Sequence, residues 1–189
     1  MSRILLIISF LFFLGCVKDE PIGIFSLSKE ASKYKIDGEI TSFKMIDNNG
    51  ITDLFRQENF SLYHHEPWEG GFFESYDIAY RSIINNYYFN LRLNADDYSS
   101  TMSFTWNQNN YVYYDFKYKE TDSDGFKPVI SFYKSIMIRG VNYKDIIELD
   151  YSKGVDKIKD NTPLKAFISG KKGLLKIVRK DGIVLERIS

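Results

Sequence analysis

The chain has 189 residues, with 25 basic and 25 acidic side chains, one cysteine, and 16% aromatic residues including 14 Tyr and 15 Phe. A balanced charge without a long basic run argues against a nucleic-acid partner, because such binding rests on a cationic face that neutralises many phosphates. A lone cysteine excludes an intramolecular disulfide, and after residue 14 no stretch holds the ~20 consecutive apolar residues of a spanning helix.

The chain opens Met-Ser-Arg, continues in an apolar run from Ile4 to Leu14 broken only by Ser9, and then reads Gly15-Cys16. A positive start and an apolar run too short to cross a bilayer have the layout of an export signal. The sequence Phe13-Leu14-Gly15-Cys16 resembles the bacterial lipobox, with Phe13 where leucine is commoner. That resemblance implies cleavage before Cys16, alkylation of its sulfur by a diacylglyceryl group, and acylation of the new amino terminus, for example with palmitate. An exported chain with one unpaired thiol at this position needs a use for it, and lipidation is that use. Each buried methylene contributes ~0.8 kcal/mol, so two or three acyl chains hold a protein in the membrane essentially permanently. Cleavage removes 15 residues including Arg3 and leaves 174, with 24 basic against 25 acidic side chains.

Residues 16–32 read as a lipidated tether. Within it, Lys18, Asp19 and Glu20 can be plain solvated charge. They also resemble the surface-export signal of Bacteroidota lipoproteins, which implies an outer-membrane anchor with the protein on the cell surface. Without that signal the anchor would leave the protein on the periplasmic face.

Residues 33–189 read as a single all-β domain, because apolar residues recur with period two and aromatic and β-branched types are abundant. Tyr87, Phe89, Leu91 and Leu93 oppose Asn90 and Arg92. Met102, Phe104 and Trp106 oppose Ser103 and Thr105. In 111–118, Val112, Tyr114, Phe116 and Tyr118 oppose Asp115 and Lys117. Turn formers at 94–97 and 107–110 separate these three strands, which predicts an antiparallel meander. Further strands are predicted at 35–45, 60–65, 72–80, 129–138, 145–151, 164–169, 174–179 and 183–188, and a short helix at 52–58. About ten strands joined by tight turns leave no room for crossover helices. The expected fold is one antiparallel sheet curled into a barrel, half-barrel or sandwich.

The last fifty residues contain Gly140-Val141-Asn142-Tyr143-Lys144-Asp145-Ile146, then Phe167-Ile168-Ser169 leading into Gly173-Leu174-Leu175-Lys176, then a strand after Asp181-Gly182. This ending resembles that of uncharacterised all-β Bacteroidota lipoproteins, with Phe167 where tyrosine is usual. The resemblance implies a curled-sheet fold and an envelope address. It implies no activity.

Motifs that would carry chemistry are sparse. His64-His65-Glu66-Pro67-Trp68-Glu69 holds both histidines, but adjacent residues of a strand point to opposite faces and no third distant His or Cys exists, so no metal site is expected. Glu120 to Gly125 starts like a calcium loop, yet Ser131 stands where a bidentate acid is needed, and the stretch reads as a hairpin turn. Nucleophile-elbow, P-loop and dinucleotide motifs are absent, and no cofactor or catalytic residue is expected. Glu66, Glu69 and Glu74 lie near aromatics, but a glycosidase needs two acids facing each other across a cleft. Trp68, Phe72, Phe73 and Tyr76 gather around Gly70-Gly71, where Trp68 is a candidate for stacking on a sugar or a partner; rings in such a place more often pack a core.

The sequence therefore points to a membrane-anchored, non-catalytic binding or structural module with a glycan or an envelope protein as partner. A periplasm-facing carrier of a lipid or hydrophobic ligand is the alternative, and requires an apolar cavity. A glycan hydrolase is the third reading.

Overall fold

A computed structural model describes residues 24–65, 71–96, 99–107, 110–123, 128–153 and 163–188. These hold thirteen strands and one short helix: β1 (Ile24–Phe25), α1 (Lys29–Ser32), β2 (Ser42–Asp47), β3 (Thr52–His65), β4 (Phe72–Ser82), β5 (Tyr88–Ala95), β6 (Ser100–Trp106), β7 (Asn110–Asp115), β8 (Glu120–Ser123), β9 (Val129–Ile138), β10 (Val141–Asp150), β11 (Pro163–Ser169), β12 (Gly173–Arg179) and β13 (Val184–Ile188). All strands join one sheet, in the order β8-β7-β6-β5-β4-β3-β2-β13-β12-β11-β10-β9. Pairing along that path is antiparallel. Only β1 lies off it, parallel to the start of β4, with Ile24 opposite Phe72 and Phe25 opposite Phe73.

The order is a meander closed back on itself, because β13 pairs with β2, placing Ile188 opposite Lys44. The two edges are then β8 and β9, which are consecutive in sequence, and the sheet nearly closes into a barrel. This is the curled antiparallel sheet that the strand spacing predicts. The two strands not expected, β1 and β8, are only two and four residues long.

The period-two reading holds in β5, β6 and β7, where Phe89, Leu91, Leu93, Met102, Phe104, Trp106, Val112 and Tyr114 all face inward and are buried. Burying a side chain of this kind contributes ~1.5–3 kcal/mol. Tyr118, expected on the same face, lies beyond the end of β7 and is exposed. The stretch 52–58 is not a helix but the start of β3, the longest strand at 14 residues. Its inward positions are Asp53, opposite Met45, and Phe55, opposite Phe43. Asp53 is buried, and its carboxylate accepts hydrogen bonds from Ser82 Oγ (2.6 Å), Ile84 N (3.1 Å) and Asn85 Nδ2 (2.7 Å).

A sheet of this many strands can enclose more space than its inward side chains fill. Residues 24–40 take up that space at one end. Leu27, Ala31, Tyr34 and Ile36 join the main hydrophobic core, so residues ahead of position 33 contribute to the domain. Ser28 caps α1, its Oγ accepting from Ala31 N at 3.1 Å, as small hydroxyl residues do at helix starts. Buried phenols hold the rest of the segment. Tyr76 Oη donates to the Ile36 carbonyl at 2.6 Å and Tyr80 Oη to the Ile40 carbonyl at 2.8 Å. Asp37 N donates to the Lys171 carbonyl at 3.0 Å, across to the β11–β12 turn. There Gly170 is obligatory, because a Cβ would stand 1.7 Å from the Lys33 carbonyl oxygen.

The seam between the sheet edges is filled by rings. Tyr34 packs 5.9 Å from Phe116 and 5.7 Å from Phe132 of β9, and Tyr114 of β7 lies 5.2 Å from Phe132. Burial, with the charges of Asp145 and Glu30 adding, pushes the Tyr34 phenol up to about 12. A smaller cluster of Ile138, Ile146 and Leu175, joined by Ile136, Tyr143 and Phe167, packs apart from the main core.

Candidate binding surface

The end of the barrel crossed by residues 24–40 carries two features that a partner could use. The first is a polar hollow of about 400 Å³ between the start of α1, the β5–β6 connection and the residues after β7. Ser26, Ser28, Glu30, Asp96, Ser99 and Lys117 line it together with Phe116. Its walls are braced: Ser28 N donates to Ser100 Oγ at 2.8 Å, and Ser99 Oγ to Asp115 Oδ1 at 2.7 Å. The same Asp115 oxygen accepts from Lys117 N (2.8 Å) and Tyr118 N (2.9 Å). Hydroxyls, two carboxylates and an ammonium beside Phe116 offer donors and acceptors to a polar, hydroxylated ligand.

The second feature is an overhang of the β3–β4 hairpin. β2 pairs with β3 only as far as Arg56, whereas β3 continues to His65 against β4. A register shift between Gln57 and Asn59 bends the strand where the overhang begins. On one face of it Phe60 lies opposite Ile78 and Leu62 opposite Tyr76, with Phe72 two strand positions beyond Glu74. The Phe60 ring is seated on Gly38, where a Cβ would come within 2.5 Å of it, and meets Tyr76 edge-on at 5.9 Å. Beneath, Glu74 pairs with Lys35 and accepts from Leu27 N at 2.9 Å.

The opposite end of the barrel is a polar knot. Arg179 donates to Tyr87 Oη and pairs with Asp181, while the Tyr87 ring packs 5.2 Å from Trp106. Among the described residues, Trp106 Nε1 and Arg179 Nε are buried there without a hydrogen-bond partner.

Of the residues singled out by sequence, Cys16, Lys18, Asp19, Glu20 and Trp68 lie outside the described residues. Their neighbours around Gly71 divide. Tyr76 is buried and belongs to the core, Phe73 stacks on Phe25 at 4.8 Å, and Phe72 is part of the overhang's exposed face. Glu74 is committed to Lys35 and to the Leu27 amide. His64 and His65 end β3, and among the described residues no group of three His, Cys, Asp or Glu side chains could hold a metal ion. The hollow had no signal in sequence. Its residues come from three separate connections, and only the closed sheet gathers them.

The fold places the chain in the class of barrel-like, antiparallel β proteins. No family model, curated protein sequence or solved structure matches it.

Proposed function

We propose that this protein is a lipid-anchored envelope lipoprotein whose barrel-like domain is a non-catalytic binding or structural module. In this reading Cys16 carries the anchor, Lys18, Asp19 and Glu20 direct the protein to the outer face of the outer membrane, and the polar hollow receives a glycan or a polar segment of an envelope protein. The observation that carries the choice is the filled interior. Trp106, Phe104, Phe89, Tyr80, Phe55, Met45 and Ile36 occupy the space that a carrier of hydrophobic ligands would keep open. The hollow, by contrast, is polar and lies at the rim.

Labelled palmitate should enter the native protein and not the Cys16→Ala variant. Protease added to intact cells should clip the native protein and spare one with Lys18, Asp19 and Glu20 all changed to Ala, with a periplasmic marker intact throughout. A native chain that takes up no palmitate defeats the anchor. A lipidated chain untouched by protease on intact cells, but lost on lysis, places it on the periplasmic face. A calorimetric screen of envelope glycans against the native protein and Glu30→Lys tests the hollow, since its ligand should bind the native form alone.

A further inference from the structure

We propose that the overhang of the β3–β4 hairpin is a membrane-contact surface, which seats the end of the domain crossed by residues 24–40 on the bilayer that holds the Cys16 lipid. The inference rests on the anchor reading above and adds an orientation to it.

Exposed apolar side chains lie on this hairpin, as they do on the β9–β10 hairpin, where Val129, Phe132, Tyr133, Met137 and Val141 are exposed. Phe60, Leu62 and Phe72 are 43%, 54% and 42% exposed, and Ile24, paired with Phe72, is 72% exposed. Tyr63, on the other face of β3, is also exposed. Single exposed apolar residues are ordinary, but a contiguous set on one rim marks an interaction site. Phe and Tyr beside aliphatic residues suit the boundary between headgroups and acyl chains.

Chain length selects the occupant. Ile24 is both a member of the patch and the first described residue, and it follows Cys16 by eight residues. Fully extended, eight residues span about 26–29 Å. An acylated Cys16 would therefore keep Ile24, and the Phe72 with which it pairs, within about 26–29 Å of the headgroups.

Charge agrees with this placement. Across the rim of the same end, Lys33, Lys144, Lys171 and Lys172 are exposed around the β11–β12 turn. The Lys33 carbonyl abuts Gly170, and Ser169 Oγ donates to the Lys144 carbonyl at 3.1 Å. Asp37 and Asp145 border the group, through Asp37 N to the Lys171 carbonyl and Gly170 N to the Asp145 carbonyl. Lysines within a Debye length of a bilayer are drawn to anionic headgroups. Contact is shallow: beyond Gln57, which donates to the Thr41 carbonyl, the outer edge of β3 is not paired with β2, and its backbone groups must stay wet.

Because Cys16 is the only cysteine and its sulfur is alkylated in the lipidated form, an introduced cysteine is a unique labelling site. The lipidated protein carrying bimane at Leu62→Cys, or at Ile51→Cys on the far end, is reconstituted into phosphatidylethanolamine and phosphatidylglycerol vesicles containing nitroxide-labelled lipid. The mass of the amino-terminal peptide is measured in parallel. The expected result is several-fold stronger quenching at position 62 than at position 51. With the lipid confirmed by mass, equal quenching at the two positions overturns the membrane contact and leaves the anchor standing. A probe at position 62 that is unquenched by lipid yet shielded from aqueous iodide assigns the face to a second copy or another partner, and also overturns it. Absence of the lipid from the mass overturns the anchor, and the inference falls with it.

Discussion

Replacing Tyr76 by Phe removes one oxygen and tests how the barrel is filled. Tyr76 and Ile36 are each 2% exposed, and the phenol's hydrogen bond to the Ile36 carbonyl fastens the N-terminal segment to the inner face of β4. The ring keeps its volume and its contact with Phe60, so packing is unchanged and the cost is that of stranding a buried acceptor, about 1–3 kcal/mol. For a chain of this size each kcal/mol lowers Tm by about 2–4 °C, so a fall of roughly 2–12 °C is expected by calorimetry, with an unchanged denaturant m value. Tyr118→Phe, at an exposed site, should stay within about 0.5 kcal/mol of native. The alkaline limb provides a second reading. Burial pushes the phenols of Tyr76, Tyr80 and Tyr151 far up, and Tyr34 up to about 12. A phenol raised in the folded state contributes stability that is complete below the unfolded value near 10 and is lost as pH rises toward the folded value. Tyr76→Phe removes one such group, so stability should fall less steeply above pH ~10 than in the native protein. A Tm within 1 °C of native and an identical alkaline limb would refute the view that this bond holds the segment in place.

Asp53→Ala strands the amide of Ile84 and the side chains of Ser82 and Asn85, and should cost about 2–4 kcal/mol in urea unfolding. Gly170→Ala forces the Lys33 carbonyl away from the β11–β12 turn, and a loss of about 1–3 kcal/mol or more is expected in the same assay. Lys165→Met breaks ion pairs to Glu148 (3.0 Å) and Asp150 (2.7 Å); because Lys165 is about one-third exposed, the cost at pH 7 should be only about 1 kcal/mol. Burial works to raise the Asp150 carboxyl, but the hydrogen bonds from Lys165 and Ser152 outweigh it and hold it below the usual range. A lowered carboxylate contributes above its unfolded value near 4 and ceases to as pH falls through the folded value, so the gap between native and Lys165→Met should close in acid. An equal gap at pH 7 and pH 2 would contradict that assignment.

How far the fold is legible in the sequence depends on what each inward position carries. In β5 the inward Phe89, Leu91, Leu93 and Ala95 and in β6 the inward Met102, Phe104 and Trp106 are apolar and alternate with mostly polar neighbours, so the strands can be read directly, although Ser100 at the start of β6 shares that face. In β3 the inward position 53 is an aspartate, satisfied by groups 29 to 32 residues away, and the adjacent Leu54 and Phe55 suggest a helical face. Tertiary partners, not local pattern, make that residue a core residue. Residues 24–36 fail for a different reason. Leu27, Ala31, Tyr34 and Ile36 are buried along a path that is part helix and part extended, and no single period fits their spacing. Ser28 followed by Lys-Glu-Ala is a helix-start signal, but four residues are too few for it to stand out. The hollow is less legible still, because Ser28, Asp96 and Lys117 come together only when β5, β6 and β7 are paired and the segment is laid across their ends.

The segment that completes the core is also the one that leads to the proposed anchor, and this limits what the protein can do. A long, flexible tether would let the domain sample every orientation and reach partners well away from the membrane. Here Ile24, in a strand already paired with β4, follows Cys16 by only eight positions, and the full extension of that span is about 26–29 Å, roughly the size of a small domain. A leash of that length restricts distance but leaves rotation free. In the membrane-contact proposal the apolar rim at Ile24, Phe60, Leu62 and Phe72 supplies the missing constraint. Were both in force, the hollow, whose wall includes Ser26 and Ser28, would open close to the headgroups. A ligand reaching it would have to be presented at the membrane surface, by a neighbouring envelope protein or a saccharide held in the same leaflet. A freely diffusing solute would gain nothing from such a placement, so envelope components in the plane of the membrane are the first partners to test.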